Sequence, residues 1–164
     1  MKVTTYCSML PSPLGELTLV ADGEHLTGLH LPSLEGKPMV VSGARKDSSP
    51  FREVIAQLEG YFAGTRTTFE VPLAPQGTPF QQRVWQALQE IPYGRTASYG
   101  QLAERIGSPR AVRAVGLANG RNPIPIIIPC HRVIGADGSL TGYGGGMDRK
   151  RLLLDLEAHT LPIG

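Results

Sequence analysis

Ser98-Tyr99-Gly100-Gln101-Leu102-Ala103-Glu104-Arg105-Ile106-Gly107-Ser108-Pro109-Arg110-Ala111-Val112-Arg113-Ala114-Val115-Gly116-Leu117-Ala118-Asn119 decides how the C-terminal half of the chain folds. Ser98 and Gln101 stand three apart ahead of an apolar run, a capping box that opens a short helix through Leu102, Ala103 and Ile106. Gly107-Ser108-Pro109 breaks that helix and starts another over 110–119, so the pair reads as a helix-turn-helix. Ala111 and Ala114 are small enough to let the second helix approach a groove closely, with Arg110 and Arg113 projecting. The same small side chains also suit tight packing against a neighbouring helix.

Upstream, Thr78-Pro79-Phe80-Gln81 is a second capping box with proline in the first turn, and its helix runs through Val84, Trp85 and Leu88 to Ile91 before a Pro-Tyr-Gly turn. The N-terminal part alternates instead. Strands are expected over 4–9, 16–21 and 25–31, with Asp22-Gly23 as a hairpin signal between the last two. Residues 32–49 are polar and rich in Pro, Gly and Ser, which predicts a loop. Ser49-Pro50 then supplies an N-cap and first-turn proline for a helix carrying Phe51, Val54, Ile55, Leu58 and Phe62, ended by Gly64. Residues 65–77, with Pro72 and Pro75, read as one more strand and a linker. The expected fold class is therefore α/β in the α+β sense. An antiparallel sheet with one helix occupies 1–77, and a mostly helical domain with the helix-turn-helix occupies 78–164.

Composition narrows the function. The chain has 164 residues, 41% apolar and 18% charged, which suits one ordinary globular domain or two small ones. No apolar run reaches the length of a membrane span, and residues 1–5 lack a secretory leader, so a cytoplasmic protein is the expectation. Cys7 and Cys130 lie far apart, which favours two thiols over a disulfide, and the four histidines make no spaced Cys/His set for zinc. Residues 1–77 carry 6 Lys+Arg against 8 Asp+Glu, whereas 78–164 carry 10 against 6. Six arginines and a single acid, Glu104, fall between Arg95 and Arg132. That imbalance suits a surface meeting phosphate, or a merely solvated basic face.

Asn122-Pro123-Ile124-Pro125-Ile126-Ile127-Ile128-Pro129-Cys130-His131-Arg132-Val133 carries the chemistry. Three prolines predict an extended, rigid main chain that delivers Cys130 to the edge of the core. A cysteine after an apolar run is often core filler. Here His131 and Arg132 follow directly, which favours a thiol whose pKa is lowered for nucleophilic work. Neighbours on a strand point to opposite faces, so Cys130 and His131 need a water bridge or a local turn to cooperate. A basic His131 also needs a carboxylate to fix its tautomer, and Glu157, Asp148, Asp155 and Glu104 all compete for that place. Tyr143-Gly144-Gly145-Gly146 lacks the features of a P-loop and reads either as a pocket lip with one aromatic face or as a plain hairpin loop.

Pro129-Cys130-His131-Arg132-Val133, with Asn122-Pro123-Ile124-Pro125 and the helix-turn-helix before it, resembles the O6-alkylguanine-DNA alkyltransferase family, also called methylated-DNA–protein-cysteine methyltransferases. The likeness is close over 78–157 and looser before it, where Tyr61-Phe62-Ala63-Gly64 is the familiar stretch. The resemblance implies a two-domain protein that binds double-stranded DNA containing O6-alkylguanine, flips the damaged nucleotide and moves the alkyl group irreversibly onto its own cysteine. Cys130 would be the acceptor, His131 the base acting through a water, Glu157 its orienting carboxylate, and Asn122 the brace of the active-site segment. Arg113 would enter the base stack, Tyr99 would turn the backbone, and Arg110, Ala111 and Ala114 would lie along the minor groove. Val133, Tyr143, Gly144 and Gly145 would line the guanine pocket. O4-methylthymine would be a poorer substrate, and one protein would react once. No cofactor or metal is implied, since only Cys7 could offer a thiolate before residue 77. A monomer without membrane contact, loading cooperatively on DNA or singly, is the default expectation. Two rival readings are a helix-turn-helix regulator, which leaves the Cys-His unexplained, and a Cys-His-Glu hydrolase, which leaves the basic cluster idle.

Overall fold

The computed structural model describes residues 3–140, 143 and 146–160. The chain divides into two compact units, Met1–Pro75 and Gln76–Gly164.

In the first unit, β1 (Tyr6–Ser12) and β2 (Gly15–Ala21) form an antiparallel hairpin in which Ser12 faces Gly15, and β3 (Leu26–His30) adds to β2. The 32–49 stretch is less irregular than expected. It contains β4 (Arg45–Lys46), which pairs in parallel with β1 and completes the order β3-β2-β1-β4. The same stretch also packs on the sheet: Met39 offers its carbonyl to the buried Thr18 hydroxyl at 3.0 Å. That cover explains why β2 is buried on both faces from Leu17 to Ala21, so its pattern is continuous rather than alternating.

The helix α1 (Arg52–Phe62) follows a short 3-10 turn at Ser49–Phe51. Ser49 is not its N-cap. Its amide and hydroxyl both donate to the Asp47 carboxylate, at 2.9 and 2.7 Å, so Asp47 satisfies the free end of the turn. Val54, Leu58 and Tyr61 bury one stripe of α1, as the helical spacing of apolar residues requires. The strand expected within 65–77 does not form. Gln57 captures the main chain there with its side-chain amide, donating to the Glu70 carbonyl at 3.2 Å and accepting the Glu70 amide at 2.8 Å. Beyond it only Leu73 makes a bridge, to Leu26, because Pro72 and Pro75 have no N–H to give a ladder.

The second unit opens with α2 (Pro79–Gln89), whose capping box at Thr78 and Gln81 is complete. A second complete box, Ser98 with Gln101, ends the two-residue strand β5 (Ala97–Ser98) and begins α3 (Tyr99–Arg105). The helix α4 (Val112–Gly120) starts two residues later than the 110–119 expectation, because 108–111 close a turn through the Ala111 amide and the Ser108 carbonyl. The helix pair and its turn are thus present. A parallel pairing of β5 with β6 (Val133–Ile134) sets Ala97 beside Val133, which brings the cysteine segment alongside the start of the helix pair. The last helix is α5 (Met147–Thr160). No helix of the described residues is long and apolar enough to cross a membrane.

Trp85 organises this unit. It is 2% exposed, and its indole N–H donates to the Ala118 carbonyl at 2.8 Å, fastening α2 to the last turns of α4. Gly77 lies against the same ring: a Cβ there would come within 2.4 Å of the indole. Gly77→Ala is therefore expected to destabilise the protein by about 1–3 kcal/mol through overpacking, measured by urea unfolding followed through Trp85 fluorescence.

Candidate active site

Proline rigidity alone does not produce the shape of the 122–133 segment. The chain turns back on itself rather than running extended: the Ile128 amide donates to the Ile124 carbonyl at 2.9 Å. Asn122 closes the loop from inside. Its amide donates to the Ile128 carbonyl at 2.7 Å, and its side-chain oxygen accepts the Ile124 amide at 3.0 Å. The turn demands a left-handed residue, and this falls on Ile126 at φ 75, the only non-glycine with positive φ among the described residues. A β-branched residue there costs on the order of 1–2 kcal/mol, held in place by a side chain that is 1% exposed.

Cys130–Arg132 then forms one turn of 3-10 helix, so the local turn that the adjacent Cys and His require is present. Asn119, at the end of α4, holds it from the other side by donating to the Cys130 carbonyl at 3.4 Å. The thiol is 4% exposed. Burial pushes its pKa up to about 11, against the opposing pull of the Asn122 side chain, its own backbone, the Lys150 ammonium and the Tyr143 hydroxyl. The lowered pKa expected from the company of His131 and Arg132 is therefore not found. Both of those side chains turn away to Glu157, and the resting thiol is protonated.

His131 is fully buried, with Nε2 and Glu157 Oε2 2.6 Å apart. Of the four carboxylates left open by sequence, Glu157 is the one against this ring, while Glu104, Asp148 and Asp155 are exposed. A carboxylate acceptor places the imidazole proton on Nε2 and leaves Nδ1 as the acceptor. Nδ1 is buried and makes no hydrogen bond among the described residues. Burial lowers the His131 pKa, outweighing the opposite effect of Glu157, so the ring rests neutral. Burial would raise Glu157, but hydrogen bonds from His131 and Arg132 and their charges carry it down to about 2.

Arg132 is the main departure from the sequence reading, which counted it in a phosphate-facing basic surface. It is 6% exposed and grips Glu157 with Nε at 2.8 Å and Nη2 at 3.0 Å, while Nη1 donates to the Ile91 carbonyl at 2.7 Å. Its guanidinium also lies over the Tyr93 ring, 5.6 Å from the centroid. Lys150, on α5, was likewise missed. It is fully buried and donates to the Val133 carbonyl at 2.5 Å, which fixes the main chain just past the cysteine. No local signal marks either residue, since a basic side chain inside an otherwise basic segment reads as surface.

The remaining residues fall into two groups. Tyr143 is half-buried, and its hydroxyl is buried and draws the Cys130 pKa down. Gly144 and Gly145 lie outside the described residues. Tyr99 opens α3 with its ring near Gly116 of α4, where an added Cβ would sit 3.8 Å from the ring. Arg110, Arg113 and Ala114 are exposed, Ala111 is half-buried, and Leu117 is 66% exposed. Val115, Ala118 and Asn119 bury the opposite stripe of α4, so the arginine-bearing face is outward. Among the described residues no group of three His, Cys, Asp or Glu side chains is placed to hold a metal ion. Both cysteines are free thiols.

Residues 5–75 match the family model "6-O-methylguanine DNA methyltransferase, ribonuclease-like domain", and residues 79–159 match "6-O-methylguanine DNA methyltransferase, DNA binding domain". A methylated-DNA–protein-cysteine methyltransferase of Mycobacterium leprae is 54% identical over 154 residues, covering 94% of this chain and 93% of its own. The crystal structure of the Mycobacterium tuberculosis O6-methylguanine methyltransferase superposes with a TM-score of 0.88 at 51% identity, covering 98% of this chain and 97% of that one. A further crystal structure from Mycobacterium tuberculosis, titled as a complex with DNA, has a TM-score of 0.88 at 54% identity, with 96% and 95% covered. On domain matches that span nearly its whole length and on relatives sharing half its residues, the chain belongs to the 6-O-methylguanine DNA methyltransferase family.

Proposed function

We propose that the protein repairs O6-alkylguanine in double-stranded DNA by moving the alkyl group to Cys130. The observation that carries this is the shared turn of a buried thiol and a neutral histidine backed by an ionised carboxylate, in the unit whose α4 turns Arg113 outward. Cys130 Sγ bonds to the alkyl carbon as the carbon–O6 bond breaks. The thiol proton leaves through a water to His131 Nδ1, and the guanine released takes up one proton in exchange, so the cluster returns to its starting charge. The product is a thioether, which thiol exchange does not reverse, and each protein reacts once.

A thiol 4% exposed is out of reach of a stacked base, so the lesion must leave the duplex. Flipping costs a few kcal/mol and costs least for a poorly paired base. In this reading residues 78–164 form the DNA-binding and acceptor domain. Arg113 fills the space left in the stack, Tyr99 turns the backbone, and Arg110, Ala111 and Ala114 follow the minor groove, where small side chains permit close approach. Val133 and Tyr143 line the base pocket, with Asn122 bracing the active-site segment. O4-methylthymine is the lesser substrate, and the protein acts as a cytoplasmic monomer.

Three outcomes follow from this reading. Intact-mass spectrometry after mixing with an O6-methylguanine duplex should show one gain of about 14 Da, mapped to Cys130, with none in Cys130→Ala, which still binds DNA. A gain mapped only elsewhere would remove Cys130 as the acceptor, and a second methyl group would overturn the single reaction per protein. Arg113→Ala should slow repair in duplex DNA by about tenfold or more while leaving reaction with the free modified base nearly unchanged, because only the duplex has a stack to fill. Stability should depend on pH in a definite way. The lowered His131 pKa withdraws stability as pH falls below its ordinary 6.5, and Glu157 withdraws more between 4.5 and about 2. The raised Cys130 pKa withdraws stability between 9.0 and about 11, as the unfolded thiol ionises first. Urea midpoints against pH check this: Cys130→Ala should lack the loss that sets in at 9.0 and keep only the part above 10.0 that comes from Tyr143, whose hydroxyl pKa burial also raises.

A further inference from the structure

Arg132 shares a turn with the reacting cysteine, yet its hydrogen bonds all go elsewhere among the described contacts: two to Glu157 and one to the Ile91 carbonyl. Glu157 Oε2 lies 3.0 Å from Arg132 Nη2 and 2.6 Å from His131 Nε2, so one carboxylate oxygen serves a permanent cation and an imidazole together. Glu157 Oε1 takes Arg132 Nε and, at 3.4 Å, the Gly94 amide. The fork fixes both oxygens, as bidentate guanidinium–carboxylate pairing does.

We propose that Arg132 is a positioning residue for the proton-transfer step: by sharing Glu157 Oε2 with His131 it fixes the carboxylate on the ring and draws off its negative charge, keeping the ring neutral until the thiol proton arrives. The proposal rests on the reading of His131 as acceptor of the Cys130 proton. With Arg132 positive, Glu157 negative and His131 neutral, the resting cluster carries no net charge. The other charged group acting on the ring is Lys150 of α5, whose charge acts in the same direction as Arg132. Tyr143 acts on the thiol, and Tyr93 underlies the guanidinium. Without Arg132 the carboxylate faces the imidazole alone, and His131 keeps its proton to higher pH. A protonated ring has no lone pair for the thiol proton. A guanidinium that only tied α5 to the 91–94 turn would instead, when lost, slow transfer by one factor at every pH.

The test is single-turnover methyl transfer from an O6-methylguanine duplex between about pH 5 and about pH 9, for the full-length parent, Arg132→Met and Arg132→Lys. The His131 ring is titrated by NMR in the same proteins. In Arg132→Met both the acid limb of the rate and the ring midpoint should rise by about one pH unit, with alkaline rates within about threefold of the parent. Arg132→Lys keeps the charge without the fork and should fall between the two. If Arg132→Met does not fold, the ring midpoint in Arg132→Lys decides by its direction. An unmoved midpoint, or one factor of loss across the whole pH range, overturns the proposal. His131→Gln separates the underlying reading: parental rates in that variant remove His131 as proton acceptor, while the NMR titration still reports whether Arg132 governs the ring.

Discussion

The Glu157 carboxylate, buried and ionised, holds three separate stretches of chain at one point. His131 and Arg132 reach it from the cysteine turn, Gly94 reaches it from the turn after α2, and it is itself carried on α5. A charge in a low-dielectric interior is tolerable only when its lone pairs are filled, and here both oxygens are. Arg132 extends the same knot to the Ile91 carbonyl. The position of Cys130 is therefore a consequence of electrostatics several residues away as much as of its own packing.

A second constraint works through the backbone. The segment before Cys130 bends through a left-handed isoleucine, and Asn122 bridges the bend with a donor and an acceptor from one amide. Glycine would relax the bend but would also let it move. A buried isoleucine, held in this disfavoured well by its packing, gives a stiffer support, and Asn119 also holds the Cys130 carbonyl. Preorganisation of this kind spares the nucleophile from being ordered during the reaction itself.

Local signals in the sequence are more legible than long-range ones, for a physical reason. The capping boxes at Thr78 and Ser98 satisfy helix ends within three residues, so their residue types are visible in any short window. The hairpin of β2 and β3, signalled by Asp22-Gly23, and the apolar stripe of α1 are local in the same sense. By contrast, Gln57 replaces a strand ladder through a contact thirteen residues away, and Arg132 meets Glu157 across twenty-five. Nothing near either residue distinguishes a buried polar group from a surface one. Cys130 and His131 stand out because prolines and apolar residues precede them, and Asn122 through the family resemblance alone, whereas Lys150 sits in a charged helix whose sequence hides its burial.

Trp85 is the sole tryptophan of the chain, and its indole is bonded to the backbone of α4, the helix that turns Arg113 outward. The protein's tryptophan emission thus originates at one site, a buried indole whose N–H is bonded to one carbonyl. Any displacement of α4 alters that carbonyl's distance from the ring and so the colour of the emitted light. The molecule carries its own optical gauge of engagement, with no dye or label attached.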